Sequence, residues 1–323
     1  MKTQKFFLLS LLFLLAGCAN ESSVKTLKLA HALDTNHPVH KAMEFMAERL
    51  EEKSNGKMKI VIYPNSQLGS ERELLELLQI GIISITKVSS ATLENFVPNA
   101  RIFNMPYLFR DQEHYWKTLL GDVGKKILLD CEAYWLRGIG YYDAGSRSFY
   151  SKEFPILTPD DLSGLKIRVM RSQMSVQTIQ TLGGSATPIV WGELYSALQQ
   201  GVVDAAENNP PSLYFSRHYE SCKFYSLDEH TSPPDVLVIS KYQWSKLNEK
   251  QKELLQEAVD ESVTYQRKLW KQTEDDVLAK LISEGVEILH PDKEPFRQAV
   301  EDLYEDYKGT ELYNLIEQVK EIE

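Results

Sequence analysis

Cysteine is scarce in this chain: 323 residues hold only three. One, Cys18, stands near the N-terminus. Cys131 and Cys222 read most simply as buried free thiols packing as small hydrophobes. A disulfide between them would lock together segments assigned below to opposite lobes. Positive charge is in deficit, with 36 Lys and Arg against 46 Asp and Glu and a net charge of −10. Such an acidic chain repels phosphate backbones, which excludes nucleic acid as a default partner. No G-x-G-x-x-G, P-loop or G-x-S-x-G motif occurs, so nucleotide cradles and nucleophile elbows find no support. Adjacent acids such as Asp160-Asp161 and Asp275-Asp276 lack the spacing of an acid/base pair and read as a cap and a solvated helix face. His37 and His40 stand three apart near a helix start without a third ligand, which excludes a zinc site. The chain therefore offers no metal site, no cofactor motif and no catalytic constellation. Low-complexity tracts and internal repeats are missing as well.

Long apolar runs are also absent, except at the start. Lys2 and Lys5 precede an apolar stretch over 6–15, followed by Leu15-Ala16-Gly17-Cys18. A positive start, a short apolar core and a small-residue cleavage site describe a signal peptide, too short to span as a stable helix. Cysteine directly after Ala-Gly is the pattern of a bacterial lipoprotein signal. Residues 1–17 are thus expected to be removed and Cys18 to carry acyl chains, with 18–23 as a polar tether. The alternative is an ordinary secretory signal with an incidental cysteine. Losing Lys2 and Lys5 leaves 34 basic residues against 46 acids, a net charge of −12.

The remaining 300 or so residues suffice for two lobes of about 100–200 residues each. Short apolar strands alternate with helical patterns, which predicts α/β architecture. Strands are expected over 27–33, 58–63, 82–89, 136–142, 165–170, 186–190, 202–206 and 236–240. Helices are expected over 39–53, 71–80, 112–129, 174–181 and 192–200. From about 248 to 284 the helical pattern runs almost unbroken, roughly 55 Å at 1.5 Å per residue, enough to cross both lobes.

Two arginines sit in or beside these apolar runs. Arg168 alternates with Leu165, Ile167 and Val169, which puts Lys166, Arg168 and Met170 on one strand face. Arg147 follows the turn-like Ala144-Gly145-Ser146. A guanidinium is almost never buried without a partner, because its charge cannot be neutralised and desolvation is costly. Two converging would demand an anion, from a protein carboxylate such as Glu207 or from a ligand. Ligands of α/β sheets lie outside the carboxyl ends of strands. That rule selects His31, Ser89-Ser90 and Asn208-Asn209. Asn208 offers donor and acceptor or, equally, a cap or turn. Glu71 can accept from hydroxyls or serve as a solvated first-turn acid behind Ser70, an expected N-cap partnered by Glu73. Trp191 offers a ring for stacking or ordinary core packing. His230 and Asp235 flank Pro233-Pro234 and are weaker candidates.

Two stretches resemble a known family. Thr158-Pro159-Asp160-Asp161-Leu162-Ser163-Gly164-Leu165-Lys166-Ile167-Arg168-Val169 and Leu194-Tyr195-Ser196-Ala197-Leu198-Gln199-Gln200-Gly201-Val202-Val203-Asp204, followed by Glu207-Asn208, resemble signatures of the substrate-binding proteins of tripartite ATP-independent periplasmic (TRAP) transporters. The similarity runs from Leu27 to about 305. It implies a two-lobed periplasmic-binding-protein fold with strand exchange at the hinge and a long helix bracing both lobes. Hinge crossings are expected near Ala144 and Pro233-Pro234. Lobe one then comprises 24–144 plus 234–272, and lobe two 145–233 plus 273–323. The resemblance makes Arg168 the carboxylate clamp and Arg147 the second arginine. It also uses the positions of His31, Ser89, Asn208 and Trp191.

The implied function is a monomeric, lipid-anchored receptor in the periplasm or at the cell surface, delivering its ligand to membrane permease subunits. Ala186-Thr187-Pro188, the run 207–212 and the run 225–231 look most like sugar-acid binders, so a hexuronate such as glucuronate or galacturonate is expected. A sialic acid or a C4-dicarboxylate is the alternative within the class. A sensory receptor with the same pocket, or a secreted glycan-active lipoprotein enzyme, are the rivals outside it.

Overall fold

A computed structural model describes residues 24–323; the expected signal peptide, Cys18 and tether lie outside these residues. Eleven strands are described: β1 (Lys25–Ala30), β2 (Met58–Tyr63), β3 (Ile85–Ser89), β4 (Leu136–Tyr142), β5 (Arg147–Ser151), β6 (Lys166–Val169), β7 (Ser185–Pro188), β8 (Ala205–Asn208), β9 (Phe224–Thr231), β10 (Asp235–Ser240) and β11 (Glu287–Leu289). They form two sheets, ordered β2-β1-β3-β10-β4 and β11-β9-β5-β8-β6-β7. The protein is a two-lobed α/β molecule of the periplasmic-binding-protein type, with helices over both sheets.

Strand exchange follows from the order. The chain leaves the first sheet after β4 and enters the second as β5. It returns after β9 as β10, which lies antiparallel between β3 and β4. Both crossings, 143–146 and 232–234, therefore lie side by side, and Ser146 Oγ and Ser232 Oγ are 3.0 Å apart. The first crossing needs glycine. Gly145 has φ +60°, and a Cβ there would come within 2.4 Å of Glu274 Oε1. β3 and β10 are buried along their full length, as strands covered on both faces are.

The helix Glu249–Ser283 starts with a capping box, Asn248 with Gln251. Its 35 residues extend about 52 Å. Leu255, Ala258 and Val259 pack with the core of the first sheet, whereas Val277 and Leu281 pack with that of the second. One rigid element thus rests on both lobes.

Several expectations need correction. The single helix expected over 112–129 is two, Gln112–Leu120 and Asp122–Asp130. The chain folds back at Gly121 so tightly that a Cβ on Gly124 would lie 1.9 Å from the Leu119 carbonyl oxygen. The strand expected over 202–206 runs instead over β8, and that over 82–89 starts only at Ile85. β5, β9 and β11 have no counterpart in the sequence reading. The assignment of 273–323 to lobe two also fails at its end. Phe296 and Val300 do join the second sheet's core, but helix Glu311–Lys320 packs on lobe one. Its stripe Leu312, Leu315, Ile316, Val319 joins the cluster of Phe103, Leu119 and Ile127, and His114 Nε2 meets the Val319 carbonyl oxygen at 2.8 Å. Cys131 and Cys222 are buried free thiols in the cores of different sheets. Burial pushes both up to about 12.

Candidate functional site

The carboxyl ends of β3, β6 and β8 converge, with the first residue of β10, on one cavity of about 280 Å³ between the sheets. That volume lies just below the roughly 300–1,000 Å³ usual for small-molecule sites, which suits one small ligand. Of the expected residues, Arg147, Arg168, Met170, Asn208, Trp191, Glu71, Ser89 and Asp235 line it. His31 does not, and this is a correction. Its Nδ1 accepts from Leu33 N at 3.1 Å and its Nε2 lies 2.9 Å from His40 Nδ1. Both ring nitrogens are spent inside the fold, and burial, with His40 and Lys87 nearby, lowers its pKa to about 3.

The cavity's buried cations differ in their partners. Arg147, first residue of β5, is not a loop charge. Its Nε and Nη2 grip the Glu207 carboxylate (Nη2–Oε1 2.9 Å), and Nη1 donates to Asn208 Oδ1 at 2.8 Å. Glu207 Oε2 lies 3.8 Å from His230 Nε2, and His230 Nδ1 lies 2.8 Å from Asp228 Oδ2. Burial opposes charging of Glu207, but Arg147 and His230 prevail and hold it down at about 2. Burial likewise opposes the His230 cation, yet Asp228 and Glu207 raise it to about 9. Arg147, Glu207, His230 and Asp228 are therefore a row of alternating charges that cancel.

On the opposite wall, Lys87 Nζ contacts Glu71 Oε1 at 3.1 Å and Asp235 Oδ1 at 3.0 Å. Glu71 also accepts from Thr92 Oγ1 at 2.7 Å and from Ser89 N at 3.3 Å. It is thus neither solvated nor free, since three donors, Lys87, Thr92 and Ser89 N, already orient its carboxylate. Asp235 is pushed up by burial.

Arg168 is different. It is 2% exposed, its Nε donates to the Ile189 carbonyl oxygen at 3.0 Å, and its Nη1 has no partner. No carboxylate of the described residues lies within ion-pair distance. Burial draws its pKa down to about 10, with Arg147 adding to the effect. The Trp191 ring stands 5.8 Å from its guanidinium carbon. Trp191 begins the helix Trp191–Gln199, where the sequence reading ended a strand. Lys166, expected on the same face, sits at the exposed outer end of β6.

Asn208 Oδ1 is taken by Arg147 and by Asn209 N, at 2.8 and 2.9 Å. Its amide NH2 donates to none of the described residues, and Asn208 lines the cavity. The capping role weighed for Asn208 falls to Asn209, whose Oδ1 accepts from Ser212 N and whose Nδ2 donates to Ala144 O. Ser89 caps helix Ser90–Leu93 through Ala91 N at 3.3 Å, which leaves its hydroxyl proton to donate. The pair His37 and His40 serves the fold, with His37 as the N-cap of helix Pro38–Lys53.

Sequence reasoning missed Lys87, Trp270 and Asp228; it named Glu207 and His230 without joining them into one row, and weighed His37 only as a metal ligand. Lys87 carried the signal that exposed Arg168, a cation inside the apolar strand Ile-Thr-Lys-Val-Ser. Trp270 carried none, since one aromatic on a long helix is ordinary.

Comparison with known proteins gives the family and the fold. Residues 29–310 match the bacterial extracellular solute-binding proteins of family 7 (DctP). A Salmonella typhimurium LT2 protein, YiiZ, is 38% identical, over 99% of both chains. A TRAP periplasmic solute-binding protein from Xanthobacter autotrophicus Py2, solved with bound β-D-galacturonate, is 37% identical at TM-score 0.89, covering 92% of this chain and 100% of its own. One from Pseudomonas putida F1 with bound D-glucuronate is 35% identical at TM-score 0.89, covering 92% and 97%. With a family match across most of its length, a two-lobed fold and a small cavity between the lobes, the chain belongs to the bacterial extracellular solute-binding proteins of family 7, the periplasmic receptors of TRAP transporters.

Proposed function

We propose that this receptor binds a hexuronate, D-glucuronate or D-galacturonate, and delivers it to membrane permease subunits. The observation that carries the reading is the unpaired Nη1 of buried Arg168. A ligand carboxylate there completes a planar fork and fixes orientation as well as charge. The Asn208 amide reaches the same region as a further donor. Trp191 flanks the site with an apolar face suited to a pyranose ring. On the far wall, Glu71 and the Ser89 hydroxyl suit sugar hydroxyls, and the acids Glu71 and Asp235 steer the carboxylate toward Arg168.

A C4-dicarboxylate fits less well because it needs a second cation that is both buried and free, and the two other cations lining the cavity, Arg72 and Arg171, are exposed. Lys87 is held by Glu71 and Asp235, and Arg147 by Glu207. Structural neighbours solved with galacturonate or glucuronate support the uronate reading. We further propose that Cys18 anchors the mature chain by acyl groups and that the receptor acts as a monomer. Transport energy then resides in the permease.

Calorimetric titration tests the ligand assignment. One of the two uronates should bind at micromolar level or tighter, about −8 kcal/mol, and the matching neutral hexose should not. Equal affinity for glucose and glucuronate would overturn it.

A further inference from the structure

His37 stands in the sheet-one wall of the cavity, immediately before Pro38. As N-cap of helix Pro38–Lys53, its Nδ1 accepts from Val39 N at 3.3 Å. A ring nitrogen that accepts carries no proton, so the neutral imidazole bears its hydrogen on Nε2. The ring is 3% exposed. Burial, then Lys87, His31 and His40, keeps it neutral far below the usual histidine range. The ring is also fixed in place, 5.9 Å from Trp270 on the long helix and 6.0 Å from Phe215 on helix Pro210–Phe215 of lobe two. Yet Nε2 has no partner. A buried donor that is oriented, neutral and unsatisfied is costly unless something arrives to accept from it.

We propose that His37 is a specificity residue of the sugar-acid site, its Nε2–H donating to a neutral ligand oxygen, a hydroxyl or the ring oxygen. The proposal rests on the hexuronate reading and deepens it. Arg168 and His37 are both unpaired buried donors in one cavity, on opposite lobes. Arg168 is charged and takes the carboxylate. His37 is neutral and adds no attraction for an anion, so it selects an oxygen of the uncharged part. A ligand satisfying both donors bridges the lobes, whereas a short acid without the second oxygen leaves His37 unpaired.

Two substitutions separate the cap from the donor. In His37→Asn, the side-chain oxygen occupies the place of Nδ1, so the cap is kept while the reach of Nε2 is lost; Asn is among the best N-caps. In His37→Gln, the amide nitrogen lies as many bonds from Cα as Nε2, so the donor is kept and the cap is lost. Titration with D-glucuronate and D-galacturonate should show His37→Asn binding about 10- to 100-fold more weakly, at an unchanged or higher melting temperature. His37→Gln should bind within a few-fold of wild type at a lower melting temperature. Wild-type affinity in His37→Asn, or equal loss in both variants, would overturn the proposal. Nitrogen NMR of the ligand-free protein gives a test that needs no ligand: His37 should be the Nε2–H tautomer and stay neutral as the pH falls through the usual histidine range. A proton on Nδ1, or titration near pH 6.5, would overturn it. If wild type binds neither uronate, the hexuronate reading falls, and the NMR result alone decides the tautomer on which this inference stands.

Discussion

Replacing Arg168 by methionine should make the empty receptor more stable while destroying its binding. Burial lowers the guanidinium pKa from 12.5 to about 10. At about 1.36 kcal/mol per pH unit, roughly 3 kcal/mol of strain is held in the charge at neutral pH. The sign is fixed, because a cation whose folded pKa lies below its unfolded value destabilises the fold wherever it is charged. Methionine fills similar volume without a charge, and loses the Nε bond to the Ile189 carbonyl oxygen and the long contact with the Trp191 ring, together worth about 1 kcal/mol. The net gain is therefore about 2 kcal/mol, or roughly 4 °C in melting temperature for a chain of this size. Urea unfolding of both proteins without ligand, alongside uronate titration, checks the argument. Wild type saturated with ligand should recover the deficit. If Arg168→Met unfolds early, as after loss of a structural ion pair, the guanidinium holds the fold together and the clamp reasoning is refuted.

Arg147 should behave oppositely. Arg147→Ala leaves the buried Glu207 carboxylate without its closest cation, with only His230 at 3.8 Å, so stability should fall by about 3–5 kcal/mol in the same urea assay. The His230 cation predicts a pH dependence. Its folded pKa of about 9 exceeds the unfolded 6.5, so its contribution is complete below pH 6.5 and is lost as pH rises through about 9. Wild type should thus lose up to roughly 3 kcal/mol relative to His230→Asn over that window, and parallel curves for the two proteins would contradict this. Ligands touching both walls should draw the lobes together, so solution scattering at saturating uronate should give a smaller radius of gyration. Superimposable profiles would count against hinged closure.

Strands were legible in the sequence where apolar residues recur, as in β1, β2, β4 and β10, and the long helix announced itself by its unbroken pattern. β5 stayed hidden because its first residue is an arginine, and a strand opening with a charge reads as a loop until Glu207 is seen beside it. Placing helix Glu311–Lys320 on lobe one required knowing which surface its leucine stripe matches, information that lies two hundred residues away around Leu119 and Ile127. The site was legible as an arginine problem. Which arginine remains free was not, because Glu207 follows β6 and β5 in sequence and its choice of Arg147 over Arg168 is set by the β5–β8 register. His31 illustrates the reverse failure. The strand-end rule chose it, but it does not line the cavity: the fold spends its nitrogens on Leu33 and His40, and His37 presents the unpaired donor instead.

The central claim is that a ligand carboxylate supplies the partner Arg168 lacks. A crystal structure of the receptor with D-galacturonate or D-glucuronate tests it most directly. The account predicts a carboxylate oxygen about 2.7–2.9 Å from Arg168 Nη1, with the Arg147–Glu207 and Lys87–Asp235 pairs intact. A uronate whose carboxylate displaces Glu207 from Arg147, or lies against Lys87 while Arg168 Nη1 stays unpaired, would contradict it.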